Sequence, residues 1–271
     1  MSYQYYYEYL EFVIAVAKTA GTAIMQVYAT DFEVIKKEDF SPLTQADIAA
    51  HQVIVTALSK LTPHIPILSE ESEVIPYDTR KAWQTYWLID PLDGTREFVK
   101  RNGEFTVNIA LIDNHVPVMG VVYAPVTELL YFSLHGNGAY KQEKSKPIQK
   151  IHCKLLDIKQ PVVAVSRSHA DRRIQLFLQN LQDRTGVMPE LINVGSSLKI
   201  CLVAEGVADV YPRLGPTSEW DTAAGHCILK EAGGDIVDET GSALRYNSKD
   251  SLLNPFFFAV SSNEYDWTVY L

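Results

Sequence analysis

The sequence predicts an α/β (α+β) fold built in layers, on three observations. Two stretches near the start carry apolar residues at helical spacing. Residues 105–141 read as closely spaced strands with the glycine-rich turn "HGNGAY", an antiparallel meander. Beyond residue 160 strands and helices alternate, the mark of a layered α/β arrangement.

The first helix is expected over 8–29, where Leu10, Val13, Ala17, Ile24 and Tyr28 recur on one face. Turn chemistry follows at Ser41-Pro42. Thr44, with Asp47 three residues on, resembles a capping box, so a second helix starts near Gln45 with Asp47 in its first turn and Ile48, Ile54 and Leu58 on its apolar side. Strand-like runs come next: "IPILSE", "YWLID", "FTVNIALID", "PVMGVVYA" and "ELLYFSL". The polar, Lys-rich stretch 141–160 is the expected boundary between an N-terminal α+β part, 1–150, and a C-terminal α/β part, 151–271. In the second part "PVVAVS" precedes "DRRIQLFLQNLQ", "LINVG" precedes "SSLKICLVAEG", and "VADVYPR" precedes "EWDTAAGHCILKEAGG". "DIVD" and "FFFAVSS" finish the chain as strands.

Composition narrows the function. The 271 residues are 47% hydrophobic, enough for a core near the upper size limit of a single one. A net charge of −9 argues against binding long nucleic acid, whose affinity rests on Lys and Arg contacts to phosphates. A small anionic substrate stays open if local cations invert the field. No run of about 18 uninterrupted apolar residues occurs, so no membrane span is expected, and the first residues lack the basic region and cleavage site of a secretory leader. Cys153, Cys201 and Cys227 are widely spaced without a CxxC pair. That fits a reducing cytoplasm rather than a disulfide framework or zinc site.

The chemistry-bearing residues are acidic. In α/β sheets ligands gather at the carboxyl ends of strands. "PILSEESE", "WLIDPLDGT" and "SEWDTAAG" put Glu70, Asp90, Asp93 and Asp221 at such ends or at a helix start. Four carboxylates in one pocket could not all stay ionised without cations among them, and oxygen donors select Mg²⁺ first and Mn²⁺ second. The Asp90-Pro-Leu-Asp93 spacing suits a tight turn that aims both side chains inward and can direct the Leu92 carbonyl to the same ion. Gly94 permits close backbone approach, Thr95 adds a hydroxyl, and a helix starting there would add N–H groups for a phosphate. Each motif also has a structural reading: a solvated loop for "SEESE", a helix-start residue for Asp221, a cap for Asp47. The aspartyl-nucleophile motif of haloacid dehalogenase-type phosphatases is strand-DxDGT. The spacing here is DxxDGT, which breaks that arrangement.

"SEES", "WLIDPLDGTREFVKRNGEFTVNIALI" and "EWDTAAGH", in this order and at these separations, resemble the inositol monophosphatase superfamily of metal-dependent, lithium-sensitive phosphatases. Within it the chain is similar to CysQ-type 3′(2′),5′-bisphosphate nucleotidases, a likeness that runs from about residue 8 to residue 261 and includes "SPLTQADIAAH", "SRSHAD", "GSSLK" and "AEGVADVYPR". The Tyr-rich start and the final "NEYDWTVYL" fall outside it. The resemblance implies an αβαβα sandwich of the sugar-phosphatase type. It implies hydrolysis of the 3′-phosphate of adenosine 3′,5′-bisphosphate, with 3′-phosphoadenylyl sulfate as a further candidate, by in-line attack of water without a covalent intermediate. Two or three Mg²⁺ ions are implied. Glu70, Asp90 and the Leu92 carbonyl would hold the first, and Asp90, Asp93 and Asp221 the second. Asp47 would stand near a third ion or the attacking water, which Glu70 and Thr95 would orient or deprotonate. Gly94 and Thr95 match the phosphate-binding positions, and Arg96 stands where relatives often have Lys. Ser196, Lys199, His169 and Arg213 match positions that contact the adenosine or its second phosphate.

Each of these last has an ordinary alternative: a helix cap for His169, a solvated helical residue for Lys199, a surface ion pair for Arg213. Inositol monophosphate or fructose 1,6-bisphosphate could use the same metal centre. A non-catalytic nucleotide sensor is the reading from another class, and the intact set of Glu70, Asp90, Asp93, Thr95 and Asp221 argues against it. Peripheral association with the cytoplasmic face of the inner membrane is known among relatives, but no basic amphipathic segment here predicts it. No heptad or apolar patch announces an oligomer.

Overall fold

The computed structural model describes residues 6–36, 42–167 and 172–271. Helix α1 (Tyr7–Tyr28) is followed by the short strands β1 (Val34–Lys36) and β2 (Pro42–Thr44), then α2 (Gln45–Leu61). Strand β3 (Ile67–Ser69), the single turn α3 (Tyr77–Arg80), β4 (Thr85–Asp93) and the one-turn α4 (Thr95–Val99) come next, and then β5 (Thr106–Asp113), β6 (Val116–Ala124), β7 (Leu129–Leu134), β8 (Gly138–Glu143) and β9 (Gln149–Ile151). The second half runs β10 (Val162–Ser166), α5 (Arg172–Thr185), β11 (Glu190–Val194), α6 (Leu198–Ala204), β12 (Val210–Arg213), α7 (Glu219–Glu231), β13 (Asp235–Asp238) and β14 (Phe257–Val260), closed by a 3₁₀ turn at Trp267–Tyr270. Of the turn expected at Ser41-Pro42, Ser41 lies outside the described residues and Pro42 opens β2.

Alternation along the strands sorts side chains into layers. On β4 and β5, Trp87, Ile89, Val107, Ile109 and Leu111 face α1 and α2. Their neighbours Tyr86, Leu88, Ala110 and Ile112 face the opposite way, onto α6 and α7. Beyond those helices, Phe257 and Ala259 of β14 face the same middle layer, while Phe258 and Val260 face α5 and the C-terminal turn. The order is helices, sheet, helices, sheet, helix, which is the αβαβα sandwich. The first sheet has seven strands in sequence order, antiparallel except for β3 beside β4. The second has five, β11-β10-β12-β14-β13, parallel at β10 and antiparallel elsewhere. The chain leaves the first sheet after β9, which pairs with β8 through Ala139 and Ile151, and enters the second at Val162.

Helix α1 is long and apolar enough, by length and composition, to cross a membrane. Here it lays Val13, Ala17, Ala20 and Ile24 against the sheet, all fully buried. On α2 the inward stripe is Asp47, Ala50, Ile54 and Leu58, and Ile48, expected on the apolar side, is 38% exposed. The spacing of three and four from Asp47 explains it: with Asp47 turned inward, Ile48 sits about 100° round the helix.

Two backbone features set the position of the site. Register in β4 breaks between Asp90, opposite Asn108, and Asp93, opposite Thr106. Pro91 and Leu92 thus face one residue, a β-bulge rather than the tight turn expected from the sequence. In a regular strand residues three apart point to opposite faces; one extra residue restores parity, so Asp90 and Asp93 reach the same side. The other feature is Gly120 on β6, where an added Cβ would lie 2.3 Å from the Ala224 carbonyl oxygen and 3.0 Å from Cys227 Cβ. That contact lets α7, which carries Asp221, lie flush on the first sheet. Gly120→Ala is expected to destabilise the protein by about 3 kcal/mol, read by urea denaturation, because neither helix backbone nor strand can yield.

Candidate active site

Three segments far apart in sequence meet at one end of the first sheet. Glu70 follows β3 and is anchored by its N–H, which donates to the Ile89 carbonyl at 3.1 Å. Asp90 begins the bulge and is 1% exposed. Asp221 sits in the first turn of α7. One carboxylate oxygen from each lies within 4.8 Å of the others. Asp93, at the far end of the bulge, acts electrostatically on both Asp90 and Asp221.

The carboxylates carry the strain of their company. Burial, then Glu70, Asp93, Asp221 and Asp47, hold Asp90 well above the usual carboxylate range. Burial, then Asp93 and Glu70, push Asp221 up to about 8. A divalent cation among them would reverse these shifts by supplying the missing charge. The all-oxygen donor set suits Mg²⁺ or Mn²⁺.

Asp47 and Asp221 are also helix-capping residues. Both close a capping box, Asp47 with Thr44 and Asp221 with Ser218. Asp47 Oδ2 accepts from the Thr44 N–H at 2.8 Å and the Thr44 hydroxyl at 2.7 Å. Its Oδ1 remains for the Thr95 hydroxyl, 3.3 Å away, which also lies 3.3 Å from the Leu92 carbonyl. Asp221 likewise spends Oδ2 on the Ser218 N–H at 2.8 Å. The structural and chemical readings of these residues are compatible because a carboxylate has two oxygens.

A cavity of about 500 Å³ opens from this cluster, lined by Gly94, Thr95, Arg96, Ser196, Lys199 and Arg213 besides the carboxylates. Gly94, at φ 91°, sits at the N-cap of α4, a helix of five residues. Lys199 is not a solvated helical residue: it is 5% exposed, and its ammonium donates to the Ser196 carbonyl at 2.7 Å, 5.2 Å from the centre of the Tyr211 ring. Burial pushes it down to about 8. Arg213 donates to the Pro216 carbonyl at 2.7 Å, and its Nε is buried without a hydrogen-bond partner. Ser196 holds a left-handed backbone, φ 51°. His169 lies outside the described residues.

Residues that motif reading missed also line or support the cavity. Trp220, Tyr211 and Leu253 give it an apolar wall. Ser197 and Asn108 hold Asp93: the Ser197 N–H donates to Asp93 Oδ2 at 2.6 Å, and Asn108 donates to the Ser197 hydroxyl at 2.7 Å. Glu104 takes both nitrogens of a bidentate Arg167, each at 2.7 Å, and the Gly195 N–H at 2.9 Å, bracing the loop that carries Ser196. A larger shallow recess of about 740 Å³ lies on the outer face of α1 and α2, with Lys60 its sole ionisable lining residue. It has no part in this chemistry.

The layered fold is of the sugar-phosphatase type, and the carboxylate cluster is one that could hold a divalent ion. Residues 6–266 match the inositol monophosphatase family, and the chain belongs to it. Its relatives include the 3′(2′),5′-bisphosphate nucleotidase CysQ of Salmonella typhimurium, 52% identical over 92% of this chain and 98% of that protein. The same-named protein of Escherichia coli K12 is 50% identical over the same shares. Among solved structures, CysQ from Bacteroides thetaiotaomicron superposes with a TM-score of 0.82 at 44% identity, covering 94% of this chain and 98% of that one. SuhB from Bartonella henselae superposes with a TM-score of 0.77 at 26% identity, covering 93% and 94%.

Proposed function

We propose that the protein hydrolyses the 3′-phosphate of adenosine 3′,5′-bisphosphate to give AMP and inorganic phosphate. The reading rests on one observation above all: carboxylate oxygens of Glu70, Asp90 and Asp221 converge within 4.8 Å. The names of the relatives, 3′(2′),5′-bisphosphate nucleotidases, support the substrate. So does the distribution of charge in the cavity, where Lys199 and Arg213 face the acidic end. A monophosphate would bring no second phosphate for these two cations. 3′-Phosphoadenylyl sulfate, which also carries a 3′-phosphate, fits the same distribution.

In this reading Glu70, Asp90 and the Leu92 carbonyl would hold one Mg²⁺, Asp90, Asp93 and Asp221 a second, and Asp47 would stand near a third or near the attacking water. When bound, the ions would acidify water and offset the charge gathering on the phosphate. Asp47 keeps the Thr95 hydroxyl oriented, so that with Glu70 it can aim and deprotonate a water for in-line attack. The water oxygen bonds to phosphorus as the bond to the 3′-oxygen breaks, and that oxygen takes up the proton that the water has given up. Gly94, at a φ open to glycine, lets the phosphate approach the backbone closely. Arg96, Ser196 and His169 complete the substrate contacts, and Trp220 and Tyr211 offer aromatic faces to the base.

Lys199→Ala is expected to raise KM for the adenosine bisphosphate about 10- to 100-fold, since a charge-assisted contact contributes about 1.5–3 kcal/mol. Turnover of inositol 1-phosphate under the same Mg²⁺ should change little. A panel of both substrates with fructose 1,6-bisphosphate, with and without Mg²⁺ and Li⁺, checks the assignment. Preference for inositol 1-phosphate would overturn it.

Among the described residues all three cysteines are free, as suits a reducing cytoplasm. Helix α5 spends Phe177 and Leu181 on the core beside Trp267 and Tyr270, which argues against a seat on the membrane surface.

A further inference from the structure

Ser197 is 3% exposed and stands where three groups meet. Its hydroxyl oxygen lies 2.6 Å from Asp93 Oδ2, 2.7 Å from the Asp221 carbonyl and 2.7 Å from Asn108 Nδ2. Its N–H donates to the same Asp93 oxygen at 2.6 Å. The Asn108 amide, itself 1% exposed and paired across the strand with Asp90, approaches Asp93 Oδ2 at 3.4 Å.

A hydroxyl has one proton, and two acceptors compete for it here: a carboxylate and a peptide carbonyl. The charged acceptor makes the stronger bond, so the proton goes to Asp93. The Asn108 amide then fills a lone pair of the Ser197 oxygen. Asp93 Oδ2 is thereby saturated by donors, and Oδ1 alone is left to face the cavity.

We propose that Ser197 is a positioning residue for the second ion site: backed by Asn108, it fixes Asp93 as a ligand through one oxygen. The inference rests on the assignment of Asp93 and Asp221 to that ion. Because the Ser197 N–H survives any side-chain change, the effect of losing the hydroxyl falls at the low end of the 10–100-fold known for partners that orient metal ligands.

The test is direct Mn²⁺ binding, with free Mn²⁺ counted by electron paramagnetic resonance during titration of the full chain. Ser197→Ala is expected to weaken one class of sites about tenfold and leave the class held by Glu70 and Asp90 unchanged. Asn108→Ala, which releases the same pair from the other side, should weaken that same class. A general loosening of the fold would weaken both classes together, and that result, or unchanged binding in Ser197→Ala, overturns the proposal. Asp93→Asn separates it from the reading beneath it. If Asp93→Asn leaves both classes intact, the ligand assignment fails; if it removes one class while Ser197→Ala changes neither, only the role of Ser197 fails.

Discussion

Asp90→Asn is expected to lower phosphate release at least about a thousandfold at every Mg²⁺ concentration, and to raise the thermal midpoint of the metal-free protein. The first effect follows from position. Asp90 is the carboxylate on which Glu70, Asp93, Asp221 and Asp47 all act, and it is nearly inaccessible. An asparagine keeps Oδ1, and with it the hydrogen bond from the Leu92 N–H at 3.0 Å, so the bulge should survive. It brings no negative charge to the two ions that Asp90 would share in the proposed reading. Loss of such a ligand removes several kcal/mol of transition-state stabilisation, and about 4 kcal/mol corresponds to roughly a thousandfold. The second effect has the opposite sign. Without metal, Asp90 is either held protonated at neutral pH or ionised against its neighbours, and both cost free energy. The amide escapes both. Calorimetry in chelator beside a phosphate-release assay across a Mg²⁺ titration reads the pair. Near-normal turnover at saturating Mg²⁺ would remove the bridging role, and a lowered metal-free midpoint would show that the variant had simply lost its packing.

Much of this site was legible because local rules and site chemistry coincide at the same residues. The capping-box pattern at Thr44 and Asp47 located the start of α2, and the box leaves Oδ1 of Asp47 for Thr95. The strand ends carrying Glu70 and Asp90 were readable from apolar runs that stop at a carboxylate. The bulge was not. A β-bulge has no dependable sequence mark, and "DPLD" reads equally well as a turn. The facing of α2 was misjudged at Ile48 because apolarity alone does not say which residues of a helix point inward; the polar Asp47 decides it. Asn108 left a trace, a lone amide in the apolar run "TVNIALI", whereas Ser197 left none. Its partner Asp93 is 104 residues away in sequence, and only the folded register of two sheets brings them together.

Freed of divalent ions, the protein is expected to become less stable as pH rises from about 5 to about 8, and saturating Mg²⁺ should abolish or invert that slope. The folded-state pKa of Asp221 is raised from 3.8 to about 8. Between those values the folded chain keeps a proton that the unfolded chain has released. The unfolded state therefore binds fewer protons, and unfolding becomes easier with each added pH unit, by at most about 1.4 kcal/mol per group. Asp90, raised for the same reason, adds in the same direction. So does Glu219, pushed from 4.5 to about 7 mainly by burial. His51 opposes them, since burial lowers its pKa from 6.5 and favours the fold as pH rises towards that value, but it is one group against three. The lowered pKa of Lys199 acts only above about 8 and leaves this window alone. Bound cations reverse the carboxylate terms, because they require the ionised forms and then bind the folded chain more tightly as pH rises. Urea denaturation at several pH values, with chelator and with Mg²⁺, separates the two slopes. If stability in chelator climbs with pH as it does with Mg²⁺, then the acidic side chains do not crowd one another in solution, and the electrostatic case for a cation among them is lost.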